Sequence, residues 1–342
     1  MQTITGHGSH AEGNNTWALG SFAHSEGSNT RAKGDDTHAE GTGSQAIGNQ
    51  SHAEGLRTKA TAYAAHSEGV DTEATMYAAH AEGSTTHATG EVAHAEGYNT
   101  TAAGPQTHAE GKNTTAGASD RRAAHAEGEG TQAIANMSHA EGYNTEVPIS
   151  AWAGHAEGYA SKATSAGGAA HAEGYETEAA GMASHSEGRS TIATGAYSHA
   201  EGIGTEAVVE GSHVQGKYNL KDSMSRWLHI VGNGTSDSAR SNAHTIDTSG
   251  NAWFKGLILT GGTSQSDAPN VVAYRSKSFS VKLNNYWNGD SDCTNINTSD
   301  YTYTIYSSFI TATNIVEIIP DPNITADQWA AYRDAEFIGG VQ

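Results

Sequence analysis

A single cysteine, Cys293, among 342 residues excludes an internal disulfide framework. Basic residues are scarce as well. Lys and Arg number 18 against 38 Asp and Glu, a formal net charge of −20, which argues against nucleic acid as a partner. No apolar run approaches the ~18 residues of a membrane-spanning helix. Met1-Gln2-Thr3-Ile4-Thr5 leads straight into repeated sequence, so neither a secretory signal nor membrane insertion is expected. Catalytic constellations are also missing. Ser9 and His10 are typical of the serines beside histidines: adjacent on a strand, they point to opposite faces and do not make a nucleophile and base. A polysaccharide hydrolase needs paired carboxylates in one groove, whereas the glutamates here recur in many identical copies. A broad Thr-x-Thr array of the ice-binding kind does not form either, because Thr occurs once per Thr-x-Ala segment. The expectation is a protein that is not an enzyme.

What the chain does have is a phrase. His-Ala-Glu-Gly, or a near copy, recurs fifteen times in the first 216 residues. Its histidines are His10, His24, His38, His52, His66, His80, His94, His108, His125, His139, His155, His171, His185, His199 and His213. Two residues on stand Glu12, Glu26, Glu40, Glu54, Glu68, Glu82, Glu96, Glu110, Glu127, Glu141, Glu157, Glu173, Glu187 and Glu201, with Gln215 in the last copy. The steps are 14 residues except for one of 17 and two of 16. A unit of fixed length that tolerates short insertions is the signature of a solenoid. The inserted bends, at 117–124, 147–154 and 165–170, are a candidate recognition surface.

Between histidines a second phrase recurs, as in Thr16-Trp17-Ala18-Leu19-Gly20, and both phrases fit the seven-residue template Ser/Thr-x-Ala-x-Gly-x-x. A coiled coil would need large apolar residues at two of seven positions, and Gly at every seventh residue would cost a helix about 1 kcal/mol each time. Two strands of about five residues, each closed by a Gly turn, make one 14-residue coil instead. Alternation places Ala on one face as a thin interior and its neighbours on the other. In the first strand those neighbours are His and Glu. In the second they vary freely, as in Lys59 and Thr61 or Glu206 and Val208, which suggests solvent.

An interior of Ala buries little apolar surface at roughly 25 cal/mol per Å², so oligomerisation is expected. The constant His/Glu face is the natural place for chains to meet. A column of glutamates ~4.8 Å apart repels itself, and a parallel column of histidines relieves it, which predicts a His/Glu lattice between subunits. Protonating all fifteen motif histidines would bring the net charge from −20 to −5.

At this point the 14-residue unit resembles the head repeats of trimeric autotransporter adhesins. That resemblance covers residues 1–216 and implies an all-β fold: a trimeric left-handed parallel β-roll, about 70 Å long from fourteen steps of ~4.8 Å. In those heads the residues flanking Ala are usually aliphatic, so His and Glu depart from the pattern. Cofactors are not expected. Two ligands on one strand have Cα atoms about 6.6 Å apart, awkward for one ion, and no His-Glu-x-x-His signature occurs. The alternative for this ladder is an axial metal ion held by three histidines that converge on a trimer axis.

After His213-Val214-Gln215-Gly216 the repeats stop, and 217–262 reads as short strands joined by Gly/Asn turns. The series Gly232-Asn233-Gly234-Thr235, Arg240-Ser241-Asn242-Ala243, Asp247 and Gly250-Asn251-Ala252-Trp253-Phe254 is similar to phage tail appendages that carry an autoproteolytic intramolecular chaperone domain behind His-Ala-Glu-Gly repeats. This resemblance implies a trimerising connector, with Asp222, Asp237 and Asp247 as candidates for self-cleavage. Asp before Ser or Gly is more often a turn residue.

The remainder, 263–342, reads as a β-rich tip with one short helix near 325–337, preceded by Pro320-Asp321-Pro322. Tyr286, Trp287, Asn288, Asp290 and Asp292, in a polar loop, are candidates for glycan contact, against the plainer reading that Trp287 packs in the tip's own core. Together these features lead to the expectation of a homotrimeric bacteriophage or prophage tail fibre or spike. It would be extracellular in the virion, partnered by itself, by other tail or baseplate proteins and by a host-surface glycan or protein. A bacterial trimeric surface adhesin and a self-cleaving tail appendage are the alternatives.

Overall fold

The computed structural model describes residues 2–221, 224 and 226–255. These are all-β; no helix occurs among them. The chain winds as a parallel β-solenoid of about sixteen turns. Each coil contributes one five-residue strand that begins at the motif histidine, from His10–Asn14 to His213–Lys217, and one short strand, from Thr3–Ile4 to Glu206–Ala207.

Like residues stack on like. His66 pairs with His80, Glu68 with Glu82 and Gly69 with Gly83. The longer steps keep this register, with His108 opposite His125 and His139 opposite His155, so the extra residues are expelled into loops outside the ladder. The second strand is shorter than the five residues expected, at two residues, as in Trp17–Ala18. Tight turns bracket it: Asn15 and Phe22 both sit at positive φ (58° and 57°). Asn tolerates that conformation, and Asn15 and Asn99 also bond the Asn one coil on at 2.8 Å.

One glycine per coil is obligatory. Gly97 has φ +106°, and a Cβ there would lie 2.1 Å from the carbonyl oxygen of Gly111. Neither the backbone conformation nor the approach of the next coil admits a side chain.

The core is as thin as the sequence predicts. Ala39, Ala53 and Ala81 form one fully buried column and Ala32, Ala46 and Ala60 another. Beside them runs a buried column of Thr and Ser, including Thr58, Thr86 and Thr100. In the three His-Ser-Glu-Gly coils the motif serine bonds this hydroxyl: Ser25 to Thr30 (2.9 Å), Ser67 to Thr72 (2.7 Å) and Ser186 to Thr191 (2.8 Å). Where the motif carries Ala, the hydroxyls of Thr86, Thr100 and Thr114 are buried without a hydrogen-bond partner.

The roll runs one strand beyond the boundary placed at residue 216. Trp227–Asn233 joins the ladder in parallel, with His229 opposite His213 and Gly232 opposite Gly216. Asn242–Asp247 and Ala252–Phe254 then add antiparallel, ending the parallel ladder. The strands and helix expected in 263–342 lie outside the described residues, as do Asp222 and the glycan candidates Tyr286, Trp287, Asn288, Asp290 and Asp292.

The candidate functional face

Because His and Glu are two apart on a strand, both project from the same face, and in-register stacking turns them into parallel columns. Imidazole rings stack from His10 to His213 with centroids 4.6 to 5.1 Å apart. The order ends at His229, whose ring is tilted 51° from that of His213. The glutamates fill the space alongside. His66 Nε2 lies 3.3 Å from Glu68 Oε2, and His80 Nε2 lies 3.4 Å from Glu82 Oε2. Glu96 reaches two coils, with Oε2 3.7 Å from His94 and Oε1 3.9 Å from His108. The pairing that the sequence predicts between subunits therefore forms within one chain.

This lattice is incompletely satisfied. His199 Nε2 bonds Glu187 at 3.1 Å, but thirteen other motif histidines, His80 and His94 among them, have a buried Nε2 with no hydrogen-bond partner. At the last copy Gln215 replaces Glu, and its amide lies 3.2 Å from His229 Nε2.

The electrostatics follow from crowding. Burial, then the neighbouring imidazoles, hold His38, His52, His80, His108, His125 and His155 below the ordinary histidine range, with nearby glutamates opposing. Among the carboxylates, neighbours share protons. A hydrogen bond with Glu96, and then burial, push Glu110 up to about 7, and Glu157 is raised to about 7 in the same way by Glu173. Glu96 and Glu173, accepting those bonds, are lowered.

Since the residue after each Glu is a Gly, a shallow groove runs beside the carboxylates. One stretch of about 480 Å³ is lined by Glu82, Glu96, Glu110 and Glu127 with Gly97, Gly111 and Gly128; a second lies along Glu141 to Glu187. Beyond the second, Tyr143, Tyr159 and Tyr175 stack at 5.0 and 4.8 Å, and Arg189 lies over Tyr175. Sequence reasoning missed this column, although Tyr four residues after His in three successive coils was the signal.

Metal-ligating atoms also come together. Among the described residues, five His/Glu groups each place three potential ligand atoms within 4.8 Å, for example His80, Glu82 and His94. The Cα spacing on one strand overlooked these, because the third ligand comes from the next coil.

Elsewhere, the varied faces carry coil-to-coil ion pairs, Arg57 with Asp71 and Lys112 with Glu129. Two of the inserted bends meet: Ala169 N donates to Trp152 O, and the half-exposed Trp152 ring covers Gly168. The two described self-cleavage candidates have structural partners. Asp247 accepts from the backbone N–H groups of Ser249 and Asn251 in a turn. Asp237 pairs with Arg240, which also bonds the largely buried Glu206 at 2.7 Å and the carbonyls of Gly204 and Asn219. Asn219 is fully buried and bonds both the N–H and the C=O of Glu206, while Asn242 caps Leu220 N. Arg240 and Asn242, from the segment after the repeats, thus fasten that segment to the last coils.

Fold and face together define a parallel β-solenoid repeat protein with one chemically constant side. No protein-family model matches the chain, and no curated protein matches its sequence.

Proposed function

We propose that the chain is the structural shaft and connector of a homotrimeric fibre or spike that attaches to a host-cell surface, as in a bacteriophage or prophage tail. One observation carries the reading: a single face repeats His and Glu in register along the roll, and Nε2 of thirteen of its histidines is buried yet without a hydrogen-bond partner. Solvent would not select such constancy, and a roll filled with Ala gains from covering it. Identical columns on identical chains complement one another under threefold symmetry. The connector resembles a tail-appendage chaperone domain, and its Arg240 and Asn242 hold the end of the roll closed. No catalytic role is assigned to the roll.

Attachment is tested by mixing the labelled full chain with a panel of bacterial strains and measuring co-sedimentation. Saturable binding to particular strains is expected; binding to none, or equally to all, contradicts the reading. The denatured mass of the purified chain separates the self-cleaving alternative, which gives a product lighter than 35.5 kDa.

A further inference from the structure

We propose that the His/Glu face binds divalent transition-metal ions within a single chain. Each ion would be held by Nε2 of two successive histidines and a carboxylate oxygen of the glutamate on the first of those strands. His80, Glu82 and His94 form one such group, and His94-Glu96-His108, His125-Glu127-His139, His155-Glu157-His171 and His171-Glu173-His185 repeat it, the three ligand atoms of each lying within 4.8 Å of one another.

Geometry favours this before any ion arrives. Metal–nitrogen and metal–oxygen bonds of about 2.0–2.2 Å put two ligands of one tetrahedral ion about 3.4 Å apart. The carboxylate already stands at that separation, with Glu82 Oε2 3.4 Å from His80 Nε2. The His80 and His94 rings are 4.6 Å apart, so their nitrogens close by about 1 Å when the rings tilt toward one another. Both side chains are one-third exposed, which leaves one edge of the ring stack open to solvent.

Satisfaction of polar atoms is a second, independent argument. Nε2 of His80, His94, His108, His125, His139 and His155 is buried with no hydrogen bond, and coordination supplies the missing partner. Two imidazoles and one carboxylate suit Zn²⁺, Co²⁺, Ni²⁺ or Cu²⁺ and are a poor set for Ca²⁺ or Mg²⁺. A dication between successive coils also offsets the repulsion along the glutamate column. Filling is limited by sharing. His94 and His171 each belong to two groups, and one nitrogen serves one ion, so occupied groups cannot be adjacent. The inference does not rest on the trimer, since all three ligands belong to one chain.

The test titrates Co²⁺ into the chelator-stripped full chain and measures both bound metal after dialysis and the visible ligand-field band. Saturable uptake of more than one ion per chain is expected. His94→Gln removes two groups of which only one can fill, and should lower the count by one ion. His87→Gln, off the ladder, should leave it unchanged. Should His94→Gln lose its β circular dichroism, the double variant Glu82→Gln/Glu96→Gln breaks the same two groups with every imidazole intact. Uptake that never saturates, equal losses in the ladder and control variants, or one ion per three chains would each overturn the inference, the last pointing to an axial site.

Discussion

At the scale of single residues, the side chains that matter most are the smallest. The Ala and Gly of the half-repeat were legible in the sequence because one cylinder radius and one turn conformation recur in every coil. The buried hydroxyl column was only half legible. Ser or Thr in the template is visible, but its choice of partner depends on whether the motif reads His-Ala or His-Ser. Ala81→Ser should give Thr86 the partner that Ser67 gives Thr72, raising stability by about 1 kcal/mol; Ser67→Ala should lower it by a similar amount. Denaturant midpoints of the two variants check this, and shifts in the same direction would contradict it. Glycines divide in the same way. Gly97→Ala forces a Cβ into the carbonyl of Gly111 and should abolish cooperative folding, whereas Gly211, with φ +67° and nothing within 4 Å of its Cβ position, should tolerate Ala at about 1 kcal/mol.

Elements add what residues cannot. The His/Glu columns exist only because strands stack in register, and this explains why pairing within one chain was not legible: a single strand hides the neighbour one coil away. The glutamate column has a pH signature. Glu110 and Glu157 have folded pKa values raised to about 7 from 4.5. Their contribution is therefore present in full below about pH 4.5 and is lost as pH rises through about 7. The lowered histidines act oppositely over an overlapping window: what they contribute is present above about 6.5 and lost as pH falls through their folded values. Replacing both glutamates by Gln isolates the carboxylate part. Relative to the parent, Glu110→Gln/Glu157→Gln should gain more in melting temperature at pH 8 than at pH 5, and an equal gain at both would refute proton sharing. At the roll's end, the strand Trp227–Asn233 was expected in the connector, and its place in the ladder was not legible because it retains only His229 and Gly232 of the motif. Arg240→Ala leaves Glu206, whose side chain is 10% exposed, without one of its two cationic partners. The expected loss is about 3 kcal/mol, read as earlier thermal unfolding, and an unchanged melting curve would show that the fastening is dispensable.

For the whole molecule, the fold class was legible almost completely, because a fixed period with a fixed inward residue admits few architectures. The assembly proposed above draws on energetics. Methyl groups bury little, coil-to-coil hydrogen bonds do much of the holding, and one face stays chemically constant with Nε2 of thirteen histidines buried without a hydrogen bond. We propose that identical faces meet in a homotrimer. The most direct measurement is the native mass of the full chain beside its denatured mass. A native mass three times that of a 35.5 kDa chain is expected; a folded, stable monomer at micromolar concentration would contradict the homotrimer.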